Sequence, residues 1–446
     1  MKQATVAIAN LGCKANQYDG TYLSALLQEH RFQLVDFKEV ADIYIVNTCT
    51  VTDRADQDSR NLVRRAHRRN PDAIKIVTGC YAQIRPEEVS RIEGVNLVLG
   101  NNQKASLLDY LEQARRERDK VHVEVEDIFQ QKTLETFGMS GYTRQTRAYV
   151  KIQDGCNQFC TFCVIPYARG RNRSIPIPHV IEELRKLSDA GFHEAILTGI
   201  HIGTYGKDSN EGDHLISLMK RIEAERPIHR VRLSSIDPEE VTDEMVEFLQ
   251  SSEVFCPHLH IPLQSGDDAT LALMRRRYSR REFFELCHRL QVKIPHLGIG
   301  TDVMVGFPYE DEVRFSRTYG LLEEAPVHYF HVFPFSPKRG TPAAKMLAQV
   351  SPEAKKERAA KLRQLSEQKS LAWRQKFIGK QLEVVLERKS QTCHNGMEGP
   401  FEAWTGYSEQ YLPVTVHTSK GSKGKVISCT IDQEIGGTLA GTHFGR

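Results

Sequence analysis

Short runs rich in β-branched residues alternate with amphipathic stretches along most of this chain of 446 residues. In the first third, runs of strand length cover residues 5–9, 43–46 and 74–77. Helical patterns separate them, and Asp53 is a suitable N-cap for the pattern over residues 53–69. Alternation of this kind is typical of βαβ units, so we expect a parallel sheet.

A second α/β series begins near Arg147. Six strand-like runs, each followed by a helical pattern, lie at residues 148–152, 195–197, 230–233, 258–261, 298–303 and 328–333. Six βα units favour a partial or complete parallel barrel, although their spacing alone leaves an open doubly wound sheet as an alternative. After a basic helical segment, short Gly-punctuated strands at 382–386, 402–405, 413–417 and 426–431 predict a small all-β barrel.

Composition excludes several classes of protein. With 40% hydrophobic and 26% charged residues, the chain can bury ordinary cores. The longest stretch without a charged residue, 155–168, is polar and shorter than the roughly 20 apolar residues of a membrane span. The start has no signal-peptide pattern, so we expect a cytoplasmic protein. A net charge of +3 means that attraction to nucleic acid must come from local patches.

The sharpest motif is a cysteine triplet, Cys156, Cys160 and Cys163. Three thiolates within eight residues can bind three irons of a 4Fe-4S cluster and leave the fourth iron open for chemistry. The triplet follows a predicted strand, at the edge where parallel α/β folds place active sites. The alternatives are a zinc site, for which His179 is the nearest histidine, and three unrelated cysteines.

This CxxxCxxC spacing, with Phe162 before the last cysteine, resembles the cluster loop of radical S-adenosylmethionine enzymes. The resemblance implies that S-adenosylmethionine binds the open iron and is cleaved to a 5′-deoxyadenosyl radical. It also implies cofactor contacts from Phe162, Glu194, Ser234 and Gln264. The alternatives are an exposed turn for Glu194 and satisfied loop polar groups for Ser234 and Gln264.

Three further cysteines, Cys13, Cys49 and Cys80, each follow a predicted strand of the first domain. Neighbouring parallel strands end at one edge about 4.8 Å apart, so three thiols would converge there and could share a second cluster. Gly12 and Gly79 would permit the tight turns that this requires. The alternative is that the three are small buried apolar residues. We keep that interpretation for the remaining cysteines, Cys256, Cys287, Cys393 and Cys429.

The combination of these domains resembles the methylthiotransferases. The cysteine signatures lie at residues 11–19, 47–52 and 78–83, with further matches at 163–174, 258–266 and 300–308. The resemblance implies an α/β fold in three parts: an N-terminal parallel-sheet βαβ domain (1–141), a central partial (βα)6 radical SAM barrel (142–375) and a small all-β TRAM domain, an OB-like barrel (376–441). It also implies two 4Fe-4S clusters and two molecules of S-adenosylmethionine per turnover.

Within that family, residues 12–18 most resemble the bacterial enzymes that methylthiolate C-2 of N6-threonylcarbamoyladenosine at position 37 of tRNA. The departures at Ala15 and Gly20, where bulkier residues are usual, concern substrate contacts. The alternatives are the branches acting on N6-isopentenyladenosine or on an aspartate of a ribosomal protein. A non-enzymatic alternative is an RNA-binding iron–sulfur redox sensor.

Basic runs supply candidate RNA contacts. We expect Arg64, Arg65, Arg68 and Arg276 to bind phosphates of the tRNA, with ordinary solvated faces as the alternative. The resemblance also implies a reducing partner such as flavodoxin or ferredoxin. A monomer is the simplest expectation.

Overall fold

The N-terminal domain is a parallel sheet covered by helices. The computed structural model describes residues 3–134, 146–209, 214–390 and 402–443. The strands are β1 (Thr5–Asn10), β2 (Gln33–Val35), β3 (Ile43–Thr48), β4 (Ile74–Gly79), β5 (Leu97–Leu99) and β6 (His122–Glu124). The helices are α1 (Lys14–Glu29), α2 (Asp53–Arg69), α3 (Cys80–Ile84), α4 (Pro86–Ser90) and α5 (Leu107–Arg116).

The order of these strands creates a crevice at one sheet edge. The order is β2-β1-β3-β4-β5-β6, and every pairing is parallel. From β1 the chain goes to β2 on one side and then to β3 on the other side, so the strand order switches between β1 and β3. In doubly wound sheets, ligands bind outside the carboxyl ends of the strands at such a switch point. The N-cap of α2 is Thr52, whose side chain accepts from the Ala55 N–H, whereas Asp53 is the first helical residue. The expectation for Asp53 was thus displaced by one position.

The central domain contains six parallel strands in chain order and one short antiparallel pair. Its strands are β7 (Ala148–Lys151), β8 (Gln153–Asp154), β9 (Arg173–Ser174), β10 (Glu194–Thr198), β11 (Arg230–Leu233), β12 (His258–His260), β13 (Gly298–Val305) and β14 (Tyr329–Pro334). Its helices are α6 (Ile165–Arg169), α7 (Ile177–Asp189), α8 (Leu215–Glu225), α9 (Asp243–Ser251), α10 (Asp268–Met274), α11 (Arg280–Lys293), α12 (Glu312–Glu324) and α13 (Pro352–Gln375).

These strands form an open barrel. One parallel sheet has the order β11-β10-β7 and the other β12-β13-β14, and an isolated bridge between Val231 and Phe255 joins them. Within the described ranges no ladder closes β7 onto β14. The partial (βα)6 barrel is confirmed, and the open doubly wound alternative is excluded for this domain. The antiparallel pair β8–β9 brackets the segment that carries Cys156, Cys160 and Cys163.

The C-terminal domain is a closed five-stranded barrel. Its strands are β15 (Gln381–Lys389), β16 (Glu402–Ser408), β17 (Pro413–Thr418), β18 (Val426–Ile435) and β19 (Thr438–Thr442), in the order β15-β16-β17-β19-β18. The expected small all-β barrel is confirmed. Its fifth strand, β19, was not predicted. The expected domain boundary at 141/142 lies outside the described residues, as does Cys393. The expected boundary at 375/376 falls at the end of α13.

The turn between β16 and β17 plugs the amino-terminal end of the central barrel. Arg230 on β11 donates to the carbonyl oxygen of Tyr407 at 3.1 Å, and Arg232 donates to the carbonyl oxygens of Ser408 and Glu409 at 3.0 and 2.9 Å. These contacts leave the carboxyl ends of the barrel strands as its open mouth. Among the described residues, no helix is long and apolar enough to cross a membrane.

Candidate active site

Three cysteines meet at the crevice of the N-terminal sheet. Cys13 caps α1, Cys49 follows β3, and Cys80 begins α3. Gly12 has φ +96°, and a Cβ there would lie 2.8 Å from Cys49 Sγ. A Cβ on Gly79, which has φ +95°, would lie 2.4 Å from the backbone oxygen of Thr48. Both glycines are therefore required by conformation and by space, and they allow the three cysteine-bearing turns to pack together.

Burial shapes the acidity of these thiols. Burial, together with the nearby Cys80 and Cys13, raises the pKa of Cys49 to about 11. Burial also raises the pKa of Cys13, although this thiol keeps exposed surface, as expected for a group that faces a recess. Three thiolates there need the positive charge of a metal centre.

The second trio lies on the loop between β8 and α6. A Cβ on Gly155, at φ +77°, would lie 1.9 Å from the Arg171 backbone oxygen, so only glycine allows this turn. The Cys163 N–H donates to the carbonyl oxygen of Cys160 at 3.0 Å. Burial, with the neighbouring Cys160 and Cys156, raises the pKa of Cys163 to about 12. These donors fit a 4Fe-4S cluster with three protein ligands.

Charged residues contact Cys156 and Cys160 of this second trio. His201 Nδ1 lies 3.6 Å from Cys156 Sγ, and its Nε2 lies 2.9 Å from Glu240 and 3.3 Å from Asp237. Burial lowers the pKa of His201, but hydrogen bonds to Asp237, Cys156 and Glu240 raise it to about 12 overall. The two carboxylates beside Nε2 thus favour the protonated imidazole next to the sulfur. No motif in the sequence pointed to His201, Asp237 or Glu240.

Arg276 is the second cation that contacts a cysteine of this trio. Its Nη1 donates to Cys160 Sγ at 3.5 Å, and its Nη2 lies 2.5 Å from Asp237. Only 6% of its side chain is exposed. The expectation that Arg276 binds RNA phosphate is therefore wrong, because its guanidinium is committed to a cysteine and a carboxylate inside the protein. Two cations next to the thiols would stabilise the negative charge of a bound cluster.

Buried ion pairs connect the two cysteine-bearing regions. Asp19 on α1 lies 2.7 Å from both Lys104 and Lys151, and 2.9 Å from Arg169. Arg169, at the end of α6, also lies 3.0 Å from Asp154, two residues before Cys156. The cations Arg169, Lys104 and Lys151 hold the pKa of Asp19 well below its usual range despite burial. The network fixes the N-terminal trio relative to the central trio.

The lumen of the central barrel is lined by polar side chains. His260 Nε2 lies 3.1 Å from Asp302, and His260, Asp302 and His331 on three adjacent strands have ligand atoms within 4.8 Å of one another. The opposite face of the same strands packs into the apolar core through residues such as Leu259 and Val332. Since strand residues alternate between faces, the polar set points inward.

Three predicted cofactor residues lie at the mouth of the barrel. Ser234 directly follows β11, and its hydroxyl is buried without a hydrogen-bond partner among the described residues. Gln264 follows β12 at a φ of +62°, and its N–H donates to the carbonyl oxygen of Asp302 at 2.9 Å. Phe162 packs edge-on against Phe307, with ring centroids 6.4 Å apart. The free hydroxyl of Ser234 fits a polar cofactor.

Glu194 is not placed for the cofactor contact that its sequence position suggested. It is the first residue of β10, whereas Cys156 lies beyond the carboxyl end of the adjacent β7. Its fully buried carboxylate lies 2.9 Å from Arg232 and 2.7 Å from Arg230. Arg232, Arg230 and Arg147 lower the pKa of Glu194 to about 2 against the effect of burial. The expectation is therefore corrected, and Glu194 anchors the two arginines that bind the C-terminal barrel.

The predicted arginines of the N-terminal domain are exposed. Arg64, Arg65 and Arg68 lie on α2, and all three side chains face solvent. α2 begins four residues after Cys49, so the helix runs away from the crevice along the domain surface. The structure thus leaves these three guanidinium groups accessible to a large anionic ligand.

Comparisons with known proteins agree with this architecture. The family described as Uncharacterized protein family UPF0004 matches residues 5–100, and the Radical SAM superfamily matches residues 150–322. The chain is 40% identical to the Threonylcarbamoyladenosine tRNA methylthiotransferase MtaB of Bacillus subtilis (strain 168), covering 96% of this chain and 94% of that protein. It is 32% identical to a tRNA-2-methylthio-N(6)-dimethylallyladenosine synthase of Acetivibrio thermocellus, covering 88% and 82% respectively.

A solved structure shares the fold. The radical S-adenosylmethionine methyltransferase TsrM of Kitasatospora setae superposes with a TM-score of 0.59 at 14% identity, covering 77% of this chain and 75% of that chain. The fold and the cysteine loop on the barrel are those of radical S-adenosylmethionine proteins. Within that class, the chain belongs to the methylthiotransferase family. Membership in the superfamily implies a 4Fe-4S cluster and S-adenosylmethionine.

Proposed function

We propose that this protein inserts a methylthio group at C-2 of N6-threonylcarbamoyladenosine at position 37 of tRNA. The observation that carries the proposal is the pair of cysteine trios held at the mouth of one polar barrel. Relatives named as methylthiotransferases of this nucleoside, at 40% identity over nearly the whole chain, support the same substrate.

The proposal gives each trio its own role. Cys156, Cys160 and Cys163 hold the cluster that binds S-adenosylmethionine, and Cys13, Cys49 and Cys80 hold an auxiliary 4Fe-4S cluster. When bound, these centres and two molecules of S-adenosylmethionine supply radical formation and the methylthio group. A radical route suits C-2 of adenine, a carbon without an acidic proton or a leaving group.

The protein positions the reactants and excludes water. His201 and Arg276 contact the sulfurs of Cys156 and Cys160 and stabilise their charge, and Asp237 holds both of these side chains in place. Ser234, Gln264 and Phe162 remain candidate contacts to S-adenosylmethionine. The plugged lumen limits access to one end, which brings the target carbon to the cysteine trios and shields the radical from solvent.

The lumen favours the threonylcarbamoyl side chain over the isopentenyl group. His260, Asp302 and His331 present polar atoms within 4.8 Å of one another that can hydrogen-bond to a polar substituent, whereas an isopentenyl group offers them no hydrogen bond. The branch that acts on a ribosomal aspartate, and the non-enzymatic redox sensor, are less favoured because the relatives are named for a tRNA nucleoside.

Two partners follow from this function, tRNA and an electron donor. The substrate is tRNA, which the exposed Arg64, Arg65 and Arg68 and the C-terminal TRAM-like barrel would contact. An electron donor such as flavodoxin or ferredoxin reduces the protein, which acts as a monomer. Because the relatives are bacterial and are named for tRNA, we propose that it works in the cytoplasm.

Mass spectrometry of tRNA nucleosides tests the substrate. In a strain lacking this protein, 2-methylthio-N6-threonylcarbamoyladenosine should disappear and return on complementation. Loss of the isopentenyl analogue instead would overturn the substrate assignment. Purified protein that forms no 5′-deoxyadenosine under strong reductant would leave the sensor interpretation standing.

A further inference from the structure

A lysine with an unpaired charge lies beside the N-terminal cysteine trio. Lys14 is the residue after Cys13 and begins α1. Its side chain is half-buried, and within the described residues no hydrogen bond or ion pair is found for its ammonium group. A desolvated cation without a partner is unfavourable, so the site favours an anionic ligand.

The surroundings of Lys14 place it over the barrel lumen. Its charge interacts with Asp302 on β13, Arg232 on β11 and Arg147, which precedes β7. The other charges have partners: Asp302 pairs with His260 at 3.1 Å, Arg232 with Glu194 at 2.9 Å and Arg147 with Glu387 at 2.8 Å. Among these groups, Lys14 is therefore the cation available to a ligand.

The same lumen is open to a ligand. His331 and Phe333 lie on the inward face of β14, and both are exposed, Phe333 at 50%. Asp302, opposite His331, keeps 26% of its side chain accessible. The inner wall of β13 and β14 is therefore lined by groups that a polar ligand can reach from the mouth of the barrel.

We infer that Lys14 binds the carboxylate of the threonylcarbamoyl side chain in the barrel lumen. The inference rests on the proposed function and adds a specificity-determining residue to it. C-2 and N-6 lie on the same edge of adenine, so the N-6 substituent lies close to the group that delivers sulfur to C-2. A residue adjacent to Cys13 is thus within reach of that substituent. The imidazoles of His260 and His331 remain for its neutral polar atoms.

Binding of three substrate variants to the wild type and to Lys14 variants tests this contact. Anticodon stem-loop RNAs would carry adenosine, N6-threonylcarbamoyladenosine, or its methyl ester, which lacks the negative charge. For the wild type, we expect the acid to bind about 10- to 100-fold more tightly than the ester, as for a hydrogen bond to a charged group. In Lys14→Gln this ratio should fall below about threefold, and Lys14→Arg should restore part of it.

Controls separate this contact from other roles of Lys14. Lys38→Gln, at an exposed lysine of the same domain, should keep the wild-type ratio. Iron content and the visible spectrum of Lys14→Gln should match the wild type, which excludes damage to the adjacent cluster site. Dissociation constants are measured as well as kcat/KM for methylthiolation.

Two outcomes would overturn the inference. Either Lys14→Gln keeps the wild-type preference for the acid, or it weakens all three RNAs equally, which would indicate a phosphate contact. Failure of the proposed function has a different signature: the wild type would not methylthiolate the threonylcarbamoyl RNA at all.

Discussion

Arg276 Nη1 lies 3.5 Å from Cys160 Sγ, and the other end of the same guanidinium lies 2.5 Å from Asp237. One arginine thus connects a candidate cluster ligand to the carboxylate that also binds His201. Outer groups of this kind orient metal ligands and adjust the charge at the metal.

Arg276→Gln should slow cleavage of S-adenosylmethionine about tenfold, because loss of an outer partner typically reduces metal affinity or activity by that order. The measurement is 5′-deoxyadenosine formed per cluster under dithionite. The neighbouring Arg277→Gln is the matched control, since Arg277 is exposed. Equal rates for the two variants would contradict the assigned role, and a selective loss of tRNA affinity in Arg276→Gln would restore the RNA interpretation.

Glu194→Gln should destabilise the protein by about 3–5 kcal/mol, the range for removing one partner of a buried ion pair. The change leaves Arg230 and Arg232 without their carboxylate at the joint with the C-terminal barrel. Urea denaturation measures the effect. Glu285→Gln, which breaks an exposed pair with Arg281, should have almost no effect. A loss of S-adenosylmethionine binding without a loss of stability would show that the cofactor contact was correctly predicted from the sequence.

Acid should weaken the same joint. The pKa of Glu194 is about 2 in the folded protein and 4.5 for an ordinary glutamate, so its stabilising contribution is complete above pH 4.5 and is lost as pH falls toward 2. A shift of this size corresponds to about 3 kcal/mol. The stability difference between wild type and Glu194→Gln should therefore shrink as pH falls. A constant difference between pH 6 and pH 3 would contradict this prediction.

Substitution of Cys13, Cys49 and Cys80 by alanine should remove about half of the bound iron, since one of two similar clusters is lost. The variant should still form 5′-deoxyadenosine but should not methylthiolate RNA. The reciprocal variant, lacking Cys156, Cys160 and Cys163, should lose both activities. Iron analysis and product mass spectrometry distinguish the two. Full iron content in the first variant would exclude the auxiliary cluster.

Substitution of Arg64, Arg65 and Arg68 by glutamine should weaken tRNA binding and flatten its salt dependence by about one unit of slope per lost phosphate contact. The control removes three exposed cations elsewhere in the domain, at Arg116, Arg118 and Lys120. Filter binding over a range of salt concentrations gives both slopes. Identical slopes for the two variants would show that α2 does not face the RNA.

The cysteine positions could be predicted because their signal is local. Cys13, Cys49 and Cys80 each follow a strand of the N-terminal sheet, and parallel strands bring their carboxyl ends to one edge. His201 and Asp237 lacked such a signal, because tertiary folding alone brings His201 to Cys156, and Asp237 to His201 and Arg276. Glu194 and Arg276 were misassigned for the same reason, since the sequence does not show which buried partners surround a charged residue.

Short strands were also difficult to predict. β5 has three residues, Leu97–Leu99, and β19 has the sequence Thr-Leu-Ala-Gly-Thr, whose Ala and Gly are depleted in strands. Both form because flanking strands supply their hydrogen bonds: β19 pairs with β17 on one side and β18 on the other. Tertiary pairing thus overrides weak local preference.

The joint between the central and C-terminal barrels uses main-chain oxygens. Arg230 and Arg232 donate to the carbonyl groups of residues 407–409, which every amino acid provides. These three hydrogen bonds consequently do not depend on which side chains the plugging turn carries. A C-terminal barrel attached through main-chain atoms can change the ligands bound by its outer surface while the lumen of the central barrel keeps its geometry.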